Sequence, residues 1–211
     1  MVIAGLEWIL ANRLSRGIRV ANLSLGRPGS INDNSLLRGA VQNLYEVGIV
    51  IVVAAGNDPG SVVSQQIPAA YPEVLSVAST TAEAGVNQCR RFNGFVDADT
   101  ASYFSTDGAV TISAPGEQKE NINKGCRLVS TGILSTQLGG GTTRKSGTSM
   151  AAPHVAGIVA RMVQENLTTF DVEYFRNSVA STAARIGSAP LDSPSTTYEF
   201  DGVREGIAQA P

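Results

Sequence analysis

A serine, Ser149, stands among small residues in the stretch KSGTSMAAPHVAGIVARMV (145–163), where an apolar helical pattern begins. A hydroxyl at a helix N-terminus sits beside unpaired backbone N–H groups and the positive end of the helix dipole. That setting suits a developing oxyanion, the chemistry of acyl transfer. The plain alternative is an ordinary helix cap, since Ser and Thr are common there. The same stretch holds the only histidine of the chain, His154. Five residues along a helix, at about 100° each, turn it about 140° away from Ser149. His154 therefore cannot reach the hydroxyl, and it reads as a packed or hydrogen-bonded structural histidine. Two further segments, NLSLG (22–26) and AAGN (54–57), pair small residues with a polar group in the same manner. Such segments suit places where a peptide backbone approaches closely.

The elements that must position these groups follow from periodicity. Leu6, Ile9, Leu10 and Leu14 recur at helical spacing and predict a helix over 3–16, stopped by Gly17. IRVANLSLG (18–26) predicts a strand, and Leu36, Leu37, Val41 and Leu44 predict a helix over 33–47. The β-branched run at 49–57 predicts a parallel strand buried on both faces. Two successive β–α–β passes imply an open α/β sheet with right-handed crossovers, in which ligands bind beyond the carboxyl ends of the strands. The three small-residue segments converge on that edge. From 74 onward VLSVAST, TASYFST and AVTISAPG read as short strands, with polar surface loops at 81–99 and 116–126. A hairpin with its tip in the glycine run is expected within 128–147, then helices from Thr148 to about Glu165 and over 171–183. The tail, 184–211, reads as loop with a short terminal helix. Residues 1–211 read as one domain with its core in 1–183.

Composition narrows the function classes. With 43% apolar and 16% charged residues, the 211-residue chain is globular and not disordered. A net charge of −2 gives no reason to expect nucleic acid or an anionic membrane as partner, and no apolar run reaches bilayer length. No signal peptide is read at the start, where MVIAGLEWILANRL has the pattern of an amphipathic helix. Cys89 and Cys126 fit no metal spacing; one disulfide and two unpaired thiols remain equal readings.

Several segments together carry a resemblance. SGTSMAAPHVAG is similar, almost residue for residue, to the nucleophile segment of the subtilisin-like serine peptidases. VANLSLG, VVAAGN, IPAAYPEVLSVAS and ASYFSTDGAVTISAPG resemble further segments of that family, in the family's order, over about residues 2–165, with a fainter echo at YEFDGVREGIAQA. The resemblance implies a subtilisin-like three-layer α/β fold, with a mostly parallel sheet between helices, here incomplete at its N-terminal side. It implies that Ser149 is the nucleophile and Asn57 the side-chain donor of an oxyanion hole, joined by the Ser149 backbone N–H. An amide donates without adding a charge that would bind the ground state equally well. Ser24, Leu25 and Gly26 resemble the segment that pairs with an extended peptide substrate as an added strand. Ala54, Ala55 and Gly56 resemble one wall of the specificity pocket, and Gln66 falls where the family often has a small residue at the pocket floor.

The chain departs from the family at several points. Ser146 replaces the usual Asn before Gly-Thr-Ser. Thr111 stands where many relatives have an aspartate that helps bind a cation. The carbonyls around Ala69, Tyr71 and Val74 leave room for a weakly held calcium or sodium ion, but no metal is assigned and no cofactor is required. The larger departure is the base: neither the Asp-x-Gly nor the His-Gly-Thr segment of the family occurs in the chain. Asp33, Asp58, Asp97 and Asp99 lie in the wrong context for the triad carboxylate. The expected function is therefore a serine endopeptidase acting through an acyl-enzyme on Ser149, with Asp and His supplied by an N-terminal segment or chain. This chain is read as the C-terminal part of a two-chain enzyme, as a sequence starting at an internal methionine, or as an inactive pseudoprotease that keeps the peptide groove. The isolated chain is expected to be inactive, because triad members act as a unit. Family habit implies secretion.

Overall fold

The computed structural model describes residues 1–210. Its centre is a four-stranded parallel sheet of order β1-β3-β5-β6, made of Val20–Leu23, Val50–Ala54, Leu75–Thr81 and Ile112–Glu117. The β-branched run of β3 behaves as its composition demands. Val50, Val52 and Ala54 face one core while Ile51 and Val53 face the other, and all five residues of the strand are buried. A strand buried on both faces needs helices on both sides, and the chain supplies them.

One layer is α3 (Thr148–Glu165) with α4 (Val172–Ser181), which bury Val155, Val159 and Phe175 against the sheet. The opposite layer is α1 (Val2–Arg16) and α2 (Ser35–Glu46), which contribute Leu6, Val41 and Leu44. Gly17 ends α1 in the left-handed conformation, φ 61°, where a side chain would be strained. Asn34 caps α2 by accepting from the Leu37 N–H at 3.0 Å. The result is the α/β/α sandwich with a parallel sheet that the sequence implies. None of the described helices is long and apolar enough to cross a membrane.

Several local expectations are corrected. Leu14 and Leu36, counted on apolar helix faces, are 80% and 75% exposed, because each helix touches the sheet along a narrower stripe than its apolar residues span. TASYFST (100–106) forms turns, with two isolated bridges, Thr100 to Leu191 and Ala101 to Thr80, instead of a strand. Its hydroxyls bond inward: the Ser105 Oγ accepts from the Ser79 N–H at 3.0 Å. The segment 116–126, expected to be a surface loop, contains β7 (Lys119–Ile122), paired antiparallel with β8 (Leu128–Thr131). The hairpin with its glycine tip exists as β9 (Ile133–Thr136) and β10 (Thr142–Lys145). No terminal helix occurs among the described residues of the tail. That segment instead crosses back to the sheet, where the Ser113 carbonyl accepts from the Ala208 N–H at 2.8 Å. Cys89 and Cys126 are joined in a disulfide, their Cα atoms 4.9 Å apart.

Candidate active site

Ser149 lies in the first turn of α3, whose N-cap is Gly147. Gly147 adopts φ 146°, and a Cβ there would stand 3.2 Å from Asn57 Nδ2. Only glycine allows α3 to start this close to the end of β3. Gly116, which follows β6's Ala114-Pro115, allows the matching approach from the other strand. The Gly147 N–H donates to the Gly116 carbonyl at 3.0 Å, and a Cβ on Gly116 would lie 2.0 Å from Ser79 Oγ.

Thr148 joins the two halves of the site, a role the sequence reading did not give it. It is 1% exposed. Its N–H and its hydroxyl both donate to Asn57 Oδ1, at 2.9 and 3.1 Å, and its Oγ1 accepts from the Gly56 N–H at 3.2 Å. With Oδ1 engaged twice, the amide orientation is settled by its bonding partners. Asn57 Nδ2 is left as the free donor, with no acceptor among the described residues. The Ser149 N–H, in the unpaired first turn of α3, likewise finds none. Thr106 steadies the turn beneath, since its Oγ1 accepts from the Asp58 N–H at 3.1 Å and donates to the Asp58 carbonyl at 3.0 Å. The signal for Thr148 was its place within SGTSM, but its partner lies 91 residues away in the chain.

Pro153 explains the contact on the other side. A proline inside a helix has no N–H to give the carbonyl four residues back, which here is the carbonyl of Ser149. That carbonyl accepts instead from Ser24 Oγ at 2.8 Å, while Ser149 Oγ donates to the Ser24 carbonyl at 3.2 Å. The reciprocal pair fastens the segment leaving β1 to the start of α3. Asn22 Nδ2 donates to Ser24 Oγ at 2.9 Å and completes the chain of bonds.

Leu25, Gly26, Ala54, Ala55, Gly56, Asn57 and Ser149 line one cavity of about 290 Å³. Ser24 borders it through the bonds to Ser149. All eight sequence-selected residues thus gather at the carboxyl edge of the sheet. Gln66 also lines the cavity, 7% exposed, with its Nε2 donating to Ser61 Oγ at 3.2 Å. His154 does not join them. Its side chain is exposed and its Nδ1 bonds the Met150 carbonyl at 2.8 Å, one helical turn back. Asp33 is taken by Ser30, and Asp99 by Arg185 at 2.7 Å. Among the described residues no group of three or more His, Cys, Asp or Glu side chains is placed to hold a metal ion.

Comparison with known proteins gives a consistent result. The Subtilase family matches residues 1–203. Subtilisin-like protease 3 of Trichophyton equinum is 32% identical over 93% of this chain and 40% of its own length. Subtilisin DY of Bacillus licheniformis is 31% identical over 89% of the chain and 56% of its own length. Minor extracellular protease Epr of Bacillus subtilis is 31% identical over 90% of the chain and 24% of its own length. Among solved structures, a protease from Pseudoalteromonas arctica superposes with a TM-score of 0.63 at 27% identity, over 90% of this chain and 48% of that one. The chain thus spans between a quarter and just over half of these proteins. With a match along nearly its whole length and a fold to agree with it, the chain belongs to the subtilase family.

Proposed function

We propose that this chain carries the nucleophile and oxyanion-hole half of a subtilisin-like serine endopeptidase. The observation that supports this most is the Thr148 clamp on Asn57, which leaves Nδ2 as a free donor beside a serine at a helix N-terminus. In the proposed reaction Ser149 Oγ attacks the scissile carbonyl and loses its proton to a histidine from a segment outside this chain, oriented by an aspartate of that segment. The negative charge on the carbonyl oxygen is met by Asn57 Nδ2 and the Ser149 N–H, neutral donors fixed before the reaction begins. The amine leaves with the proton held by the histidine, and water then releases the acyl group from Ser149. An extended peptide pairs with residues 24–26 as an added strand. Its side chain enters the cavity bounded by Ala54, Ala55 and Gly56, where Gln66 makes the floor shorter and more polar.

The chemistry requires no cofactor. Secretion is supported by the Cys89–Cys126 disulfide, a bond typical of oxidising compartments. It is also supported by the Bacillus subtilis relative, a minor extracellular protease.

A second reading, a peptide-binding protein without turnover, has one observation in its favour. The Ser149 hydroxyl donates to a backbone carbonyl and to no base. The two readings separate on hydrolysis of an extended peptide by the chain joined to a subtilase segment bearing Asp-x-Gly and His-Gly-Thr. Cleavage that vanishes in Ser149→Ala supports the peptidase. Saturable binding of the peptide with no cleavage supports the groove alone.

A further inference from the structure

The wall of the cavity opposite α3 is the segment 66–74, which begins at β4 (Gln66–Ile67), paired antiparallel with β2 (Arg27–Pro28), and runs past Ala69. It is tied down from two sides. Toward α2, the Glu73 carboxylate accepts from Arg38 Nη2 at 3.2 Å and Gln42 Nε2 at 2.9 Å. Toward α4, a single side chain does the work. Arg176 Nη2 donates to the Pro72 carbonyl at 2.6 Å, and Nη1 to the Val74 carbonyl at 2.9 Å and to Thr111 Oγ1 at 3.5 Å. Arg176 is itself oriented by Glu173, which accepts from Nε at 3.1 Å and from the Tyr45 hydroxyl at 3.1 Å.

This is the turn whose carbonyls, by family resemblance, left room for a calcium or sodium ion. The residues present do not fit one. The Val74 carbonyl and its neighbour at Pro72 are already committed to a guanidinium. The position of the expected carboxylate is Thr111, whose Oγ1 also accepts from the Ser76 N–H at 3.1 Å. Calcium wants six to eight oxygens and gains from carboxylate charge, and a fixed cation among those oxygens would repel it. A guanidinium, by contrast, is always charged and offers several donors in a fixed plane.

We propose that Arg176 is the built-in cation of this turn. Its guanidinium supplies the positive charge and the directed donors that a bound ion would otherwise bring, and so holds the 66–74 wall in register without metal. Arg176 is a positioning residue, since it touches the wall and not the substrate. Its effect on the cavity rests on the peptidase reading, whereas its hold on the turn does not.

The test uses the chain joined to the segment bearing Asp and His. In Arg176→Ala the melting temperature should fall, and KM for an extended peptide should rise roughly tenfold with kcat little changed, the scale of one lost charge-assisted bond. Low, non-denaturing methylguanidinium should recover part of the KM, and wild type should not respond. Arg176→Lys should recover only part of the loss, because a point charge cannot serve both carbonyls in one plane. The double variant Arg176→Ala/Thr111→Asp rebuilds an oxygen site. Its melting temperature should rise with calcium by several degrees more than wild type does, also where Arg176→Ala alone fails to fold. An Arg176→Ala protein with unchanged melting temperature and KM would overturn the proposal, as would equal calcium responses in the double variant and wild type. Melting is read without catalysis, so absent peptidase activity would count against the peptidase reading and leave this test standing.

Discussion

Residues 147–149 and residues 117–120 both bury polar side chains beside the sheet, yet they treat them in opposite ways. Thr148 makes three hydrogen bonds and uses no charge. Glu117 and Glu120 are both 0% exposed. Only one of their four carboxyl oxygens has a partner among the described residues: Glu120 Oε1 accepts from the Tyr103 N–H at 2.7 Å. Burial foremost, and after it the adjoining Glu117, raise the Glu120 pKa to about 9. On the proposed reading, the first region is a neutral network with two donors left free, ready to receive charge from a reaction. The second keeps a proton to avoid charge. The difference teaches what each region is built for: donors kept free in a fixed frame suit transition-state stabilisation, while an acid pair under a disulfide-tied excursion bears on stability.

The comparison can be broken most forcefully at Asn57. Asn57→Ala should lower kcat roughly 10²–10³-fold with little change in KM, the magnitude seen for removing this donor in subtilisin itself, a family relative. A loss confined to KM would mean that the amide binds the ground state and that the region is not tuned as described. Next in size is the other region. Cys89→Ser/Cys126→Ser should cost about 2–4 kcal/mol of stability. Well below its melting temperature it should leave the rate of Ser149 acylation unchanged. Chemical denaturation paired with acylation kinetics measures both, and a slowed acylation would join two regions held here to be separate.

Thr148→Val should have a smaller effect. It keeps the N–H bond to Asn57 Oδ1 and loses the hydroxyl, leaving the half-buried Gly56 N–H unpaired at a cost of about 1 kcal/mol. The expected kinetic signature is a roughly tenfold fall in kcat, as Asn57 gains freedom to turn. A further effect concerns pH. A carboxyl raised from 4.5 to about 9 binds more protons folded than unfolded. Its contribution to stability is complete below about 4.5, erodes as pH rises above that, and is gone once pH passes about 9. Glu120→Gln should flatten that decline in a melting series. Glu205, raised by burial to about 7, adds a separate decline that ends nearer neutrality and survives the substitution.

Much of the first region was legible in the sequence and little of the second. The β3 run, the start of α3 at Thr148 and the glycines of SGTSM are local signals, written in composition and in the change of period from two to 3.6. They predicted the parallel sheet and brought the eight selected residues to one edge. Thr148's clamp escaped notice because a hydroxyl next to a serine carries no mark of a partner 91 residues away. The excursion was misread for a related reason. EQKEN looks like a solvated loop by charge, and its burial depends on β8 and on the loop around Cys89, distant partners that no local pattern announces. TASYFST failed differently: β-branched and aromatic residues resemble a strand, but its serines and threonines bond inward to neighbouring backbone and hydroxyls. Arg176 reads as an ordinary helix-surface arginine until the turn it grips is in view.

The central claim, that Ser149 is a nucleophile lacking only its base within this chain, is tested most directly by fluorophosphonate labelling. Peptide mapping would locate the adduct, with the chain alone and with the chain joined to the segment that carries Asp and His. The account predicts negligible labelling alone, rapid labelling on the Ser149 peptide when joined, and none in Ser149→Ala. Absence of a Ser149 adduct in the joined, folded protein would contradict it.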